Sequence, residues 1–169
     1  MGAAYSRPAS WRRRRKRPTA VNSVADPRTL ARLVQRLDAL RPETPRRWGT
    51  LTAGEMLCHL GDGPPNILGR PPSGDAPLRR LRKWVGLYSP LPWPRGAKTP
   101  PHSDPRAGGT RPTDFEQDRR RAIEGLRRLA RAPDADLAAS HGTFGRMTPG
   151  DWKRWAYRHA DHHLRQFGL

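Results

Sequence analysis

Residues 148–169 read TPGDWKRWAYRHADHHLRQFGL, and the reading of this stretch decides both the fold and the candidate site. Thr148 suits an N-cap, Pro149 has the fixed φ that fits the first helical position, and Asp151 sets a carboxylate in the first turn, where the helix dipole is positive. The spacing predicts a helix that begins here. At 100° per residue, with His159 as origin, Trp152, Trp155, Ala156, His163, Gln166 and Phe167 fall within about 80° of it. Lys153, Arg154, Arg158, Asp161 and Arg165 fall outside that apolar stripe. His159 and His163 are therefore centred on the face expected to be buried, and His162 lies on its flank, about 60° away.

Two imidazoles buried side by side without partners are costly. Metal ligation is one common reason for placing them together, since residues at i and i+4 lie about 5–6 Å apart at Cβ and can converge on one ion. Two ligands rarely make a transition-metal site, so a third is expected from another helix. His59, in TAGEMLCHL, is the only histidine before residue 100 and lies on an apolar-sided segment, whereas His102 and His141 fall in loops. The competing expectation is a buried histidine cluster hydrogen-bonded to carboxylates, with Glu55 and Asp161 as partners. A 159/162 ligand pair at i, i+3 is a further alternative.

The rest of the chain is punctuated like a helical domain. ADPRTLARLVQRLDALRP (residues 25–42) has Asp26 as N-cap and Pro27 at the first helical position, with Leu30, Leu33, Val34, Leu37 and Leu40 on one face. A second helix begins at Thr52 and Glu55, which have capping-box spacing, and Gly61, Gly63, Pro64 and Pro65 are expected to interrupt it early. A third long helix begins in TDFEQDRRRAIEGLRRLARAP, with Thr113 and Glu116 in capping-box spacing and Phe115, Ala122, Ile123, Leu126 and Leu129 as its stripe. Residues 61–112 are rich in Gly and Pro and read as connection, except for PLRRLRKWVGLY. There Leu78, Leu81, Trp84, Val85 and Tyr88 form an amphipathic stripe opposite four cations. Such a piece suits a membrane surface, or packing against the bundle with its arginines in water, and the second is the expectation. Four amphipathic helices without a convincing alternating strand give an all-α fold, a four-helix bundle with a long Gly/Pro-rich connection that contains a short extra helix.

Composition narrows the functional classes. The 169 residues carry a formal net charge of +18, but seven basic residues and no acidic one lie in residues 1–22, which leaves +11 on the rest. Arginine greatly outnumbers lysine throughout, as a G+C-rich coding bias would produce, so no specific nucleic-acid partner is expected. Residues 1–24 read as a disordered basic N-terminal extension and residues 25–169 as the bundle domain. MGAAYS matches the myristoylation pattern at Gly2, although a plain basic extension explains it as well. One cysteine, Cys58, excludes an internal disulfide, and no apolar run is long enough to span a bilayer. A cytoplasmic location is expected.

RRWGTLTAGEMLCHL (46–60), LYSPLPWPRGAKTP (87–100), GGTRPTDFEQDR (108–119) and HGTFGRMTPGDWKRWAYRHADHHLRQFGL (141–169) together resemble the branch of DinB/YfiT-like proteins of unassigned function that ends in a His-His-Leu-Arg-Gln-Phe-Gly signature. The resemblance covers nearly everything after residue 24. It implies a DinB-like four-helix bundle with a divalent-metal site of three histidines, at the positions of His59, His159 and His163. It also implies a small-molecule substrate, with a low-molecular-weight thiol as one candidate, and a homodimer. The Gly/Pro cluster directly after His59 departs from the family pattern, in which that helix continues.

Three neutral imidazoles leave a zinc-like ion, or nickel or iron in its place, with an open coordination position, which suits catalysis. The expectation is a metal-dependent hydrolase or thiol-dependent transferase, and the alternative is a non-catalytic bundle that holds a metal or a partner. Glu55 is a weak candidate for the catalytic base, since its capping role already explains it. His162 and His141 are expected beside the ligands or at the pocket mouth, and Cys58 as a packed small residue.

Overall fold

The computed structural model describes residues 22–67, 77–96 and 99–169. Residues 1–21 of the N-terminal extension, with the myristoylation pattern, lie outside the described residues, whereas Val24, expected at the end of that extension, is packed in the core. Five α-helices are present among those described: α1 (Pro27–Ala39), α2 (Ala53–Ile67), α3 (Pro77–Lys83), α4 (Phe115–Arg131) and α5 (Pro149–Gln166). A π-helical turn, Trp84–Tyr88, continues α3, and short 3-10 turns occupy Pro101–Ser103 and Asp134–Asp136.

The first and last helices begin where their capping residues place them. Asp26 accepts hydrogen bonds from the N–H groups of Arg28 and Thr29, with Pro27 at N1. Thr148 and Asp151 form a reciprocal capping box at the start of α5. On α4 the cap moves by one residue from the expected Thr113. Asp114 is the N-cap and accepts from Gln117 N, while Glu116 pairs with Arg119. A carboxylate is a stronger cap than a threonine hydroxyl, and it adds favourable charge at the helix start.

Leu33 and Leu37 of α1, Met56, Leu57 and Leu60 of α2, Ala122, Ile123, Leu126 and Leu129 of α4, and Trp152, Ala156, Ala160 and Leu164 of α5 share one core. Packing begins at Val24, which is buried and donates its N–H to Lys153 O at 3.1 Å. Arg36 of α1 reaches Asp161 at 2.7 Å and the Leu169 carbonyl at 2.9 Å, which fastens the C-terminal end of α5.

Three expectations are corrected. The second helix is not interrupted after His59, because α2 runs on to Ile67. Gly61 packs tightly on α4, since a Cβ there would lie 3.3 Å from Arg121 Cγ, whereas a Cβ at Gly63 would make an ordinary contact with Trp155 of α5 at 3.8 Å. Close packing on α4 and α5 overrides the poor intrinsic propensity of this stretch. Second, His141 does not sit in a plain loop. Ser140–His141 and Gly145–Arg146 pair as a two-residue antiparallel hairpin, too short for any alternation to be legible in the sequence. Third, most of the α3 stripe is turned outward rather than packed on the other helices, although the Tyr88 ring lies under Arg154 and its hydroxyl reaches Asp151 of α5. Leu78, Leu81, Trp84, Val85 and Tyr88 are exposed, and the residue that is buried instead is Leu87.

The contrast gives a direct check. Leu37→Ala should cost about 2–5 kcal/mol in urea unfolding, because it empties a filled position in the core. Leu78→Ala should stay within about 0.5 kcal/mol, as for a surface substitution. A large cost for Leu78→Ala would contradict the exposed placement.

Candidate metal centre

The site lies where α2 and the middle of α5 face each other. His59 contributes from α2, and His159 and His163 from successive turns of α5. Their potential ligand nitrogens all lie within 4.8 Å of one another. His59 Nε2 and His159 Nε2 are 2.9 Å apart. The three rings meet edge to face, with centroid separations of 4.6 to 4.9 Å.

Two of the rings are fixed by a bond from the opposite nitrogen. His59 Nδ1 lies 2.8 Å from the Ser103 carbonyl, which can only accept, so Nδ1 carries the proton and Nε2 is left with its lone pair. His163 Nδ1 lies 2.9 Å from Gln166 Oε1, and donation there leaves Nε2 free in the same way. His159 is held by ring packing instead: it stacks on Trp155 at 4.5 Å and 25°. A tetrahedral ion with bonds of about 2.0–2.1 Å sets its ligand nitrogens about 3.3 Å apart. The donor set fits such an ion with small side-chain adjustments, the wider pairs drawing in and the His59–His159 pair opening slightly.

The support for these rings comes from segments with no periodic signal. Gln166 is buried against the loop before α2. Gly49 there has φ +81°, and a Cβ would meet Gln166 Nε2 at 2.8 Å. Glycine is required at this position both for the left-handed backbone and for the close approach. Ser103 belongs to the 3-10 turn of the long connection. Gln166 was placed on the buried face by its spacing, three residues after His163. Ser103, Trp93 and Gly49 had no comparable signal.

Burial sets the charge of the cluster. It is the first cause of a lowered pKa at His59, at His159, where the lowering is large, and at His163, where the value falls to about 3. Neighbouring imidazoles add to the lowering at His159 and His163. All three are therefore neutral near pH 7, the form a metal requires.

Neither carboxylate considered as a histidine partner takes that role. Glu55 accepts two bonds of 2.7 Å from Arg106 and closes the capping box with Thr52, and its pKa falls to about 2, chiefly through Arg106. A carboxylate held in this way is a poor proton acceptor. Asp161 pairs with Arg36 and Arg165. Cys58 is buried, and burial pushes its thiol up to about 12.

A cavity of about 1110 Å³ opens over the histidines. His162 lies on its wall, edge-on to Trp48 at 4.8 Å and 5.8 Å from Trp93. His141 also lines it, stacked on Phe144 at 4.8 Å, and so does His102. Trp93, Trp152, Trp155, Phe144, Leu81, Val85 and Leu91 make much of the wall apolar. The Gly/Pro-rich connection supplies a whole side of the cavity.

A family model described as a protein of unknown function (DUF1569) matches residues 94–168. The matched segment includes His159, His162 and His163 but not His59. No curated protein and no solved structure matches the chain.

The lowered pKa values fix the sign of a pH effect. Well above about pH 6.5, folded and unfolded histidines are both neutral and contribute no difference. As the pH falls below that, the unfolded chain binds protons that the folded cluster resists, and stability is lost. The thermal midpoint of chelator-treated protein should fall between about pH 7 and pH 5, and the fall should be shallower in His163→Ala. Equal slopes in the two proteins would contradict a neutral buried cluster.

Proposed function

We propose that this chain is a DinB/YfiT-like metalloprotein whose α1, α2, α4 and α5 form the four-helix bundle. In this reading it is a metal-dependent enzyme of the hydrolase or thiol-dependent transferase type. His59, His159 and His163 are the ligands, and zinc, nickel or iron suits them better than magnesium or calcium. The observation that carries the proposal is the placement of three neutral imidazoles at the base of an open cavity of about 1110 Å³. Three protein ligands leave a position for water or substrate.

A divalent ion there supplies Lewis acidity, which lowers the pKa of a bound water or thiol. The chain's own residues do the remaining work. Ser103 O and the Gln166 side chain hold two ligand rings in the tautomer that points Nε2 inward. Trp155 stacks on His159 and Trp93 lies beside it, so both set an apolar wall next to that ligand. His162 and His141 face the substrate space from the wall rather than joining the ligand set. The substrate is a small molecule with an apolar body, and a low-molecular-weight thiol is the candidate co-substrate. A homodimer, which the resemblance implies, belongs to the same proposal.

Elemental analysis tests the ligand set. Protein purified without chelator should carry about one transition ion per chain, and His59→Ala, His159→Ala and His163→Ala should each lose most of it while keeping the helical circular dichroism spectrum. His162→Ala should keep the metal. Removing the ion should abolish, and returning it restore, hydrolysis of activated esters or transfer of a thiol to an electrophile. Full metal content in the His59 and His163 variants would overturn the site. A loaded protein inactive in both assays would favour the bundle that holds metal without turnover.

A further inference from the structure

The segment 77–91 has the polarity of a surface helix turned inside out. With Leu78 as origin, helical spacing sets Leu81, Trp84, Val85 and Tyr88 on one side, centred about 60° from it. That side faces solvent: Leu78 is 56%, Leu81 58% and Trp84 62% exposed. Every exposed large apolar side chain among the described residues falls between Leu78 and Leu91. Scattered exposed leucines are ordinary, but a contiguous apolar ridge marks an interaction surface.

The orientation is fixed by specific contacts. On the side toward the body Leu87 is fully buried, and Lys83 Nζ donates to the Arg146 carbonyl at 2.6 Å and to Asp151 at 3.2 Å. The Tyr88 hydroxyl also donates to Asp151, which caps α5. The helix therefore spends a cation inward and leaves its apolar stripe outward.

Charge selects the partner. Arg80 and Arg82 are exposed and lie about 100° to either side of the stripe, which is where interfacial helices carry cations that reach toward headgroups. Residues 76–103 contain six lysines and arginines and no carboxylate. A second copy of this chain would bring the same cations against them, and a nucleic acid offers no match for a stripe of five aliphatic or aromatic side chains. A tryptophan at the centre of the ridge suits the boundary between acyl chains and headgroups.

We propose that the α3 ridge docks this protein on an anionic lipid surface. No helix among the described residues is long and apolar enough to cross a membrane, so the contact is peripheral. Leu81, Val85 and Leu91 belong both to the exposed apolar surface and to the wall of the histidine cavity, which Arg82 also lines. Docking sets the cavity mouth at the lipid boundary. The inference stands on the ridge alone and does not depend on the metal.

Vesicle partitioning of the full chain tests it, with Leu78→Ser/Trp84→Ser as the comparison. Both positions are exposed and outside the cavity wall, and the basic N-terminal residues are common to both proteins, so their attraction cancels. On vesicles of about 30 mol% phosphatidylglycerol in phosphatidylcholine, at about 0.15 M salt, the parent should partition about tenfold more strongly than the variant. Their thermal midpoints should agree. Brominated lipid should quench part of the parent's tryptophan emission, and Trp84→Phe should bind equally but lose that part. Equal partitioning of parent and double variant would overturn the proposal. So would a lipid-free dimer that the double variant dissociates, which would make the ridge a self-interface.

Discussion

The cluster at the centre of this protein rests on the cost of burying imidazole. A histidine removed from water resists protonation, and a lone pair aimed at other lone pairs needs something positive between them. His59 and His163 each satisfy one nitrogen on a fixed acceptor, Ser103 O and Gln166 Oε1, and that leaves the second nitrogen of each directed at a shared space. Inside that space the Nε2 atoms of His59 and His159 lie 2.9 Å apart. One proton can bridge that pair, whereas an ion can serve all three rings. The remaining elements follow from this requirement: α2 must continue past His59, α5 must be capped at Thr148 so that its registry is set, and the loop at Gly49 must come close enough to back Gln166.

The elements differ in how legible they were. Strong local signals wrote α1 and α5 into the sequence, with Asp26-Pro27 and Thr148-Pro149 fixing their starts and apolar spacing fixing their inner faces. His159 and His163 were visible for the same reason, as polar residues at the centre of an apolar stripe. His59 was reached by elimination among few histidines. α2 was misjudged because Gly61, Gly63, Pro64 and Pro65 oppose helix locally, while the packing that favours it comes from α4 and α5, far away in sequence. The α3 stripe was read correctly as amphipathic, but periodicity does not say which side meets protein. That was decided by Leu87 and by the Lys83–Asp151 pair.

The long connection carries more of the site than its composition suggests. Trp93, held by its indole N–H on the Gly86 carbonyl at 2.7 Å, sits against both His159 and His162. Arg158 of α5 donates to the same carbonyl at 3.0 Å, which ties the connection back to the helix that carries His159 and His163. Gly86 fits there because a Cβ would lie 2.8 Å from the Phe144 ring. Gly and Pro in this stretch therefore shape a wall rather than mark an idle linker. The family match over residues 94–168 spans the later part of that wall together with α5.

The central claim is that three imidazoles hold one ion and leave a coordination position open. X-ray absorption on the metal-loaded protein measures this directly. Three nitrogen scatterers at about 2.0–2.1 Å with the outer-shell signature of imidazole are expected, together with one oxygen ligand that a small thiol replaces by sulfur at about 2.3 Å. A shell of two imidazoles, or a closed set of four protein ligands that thiol does not alter, would contradict it.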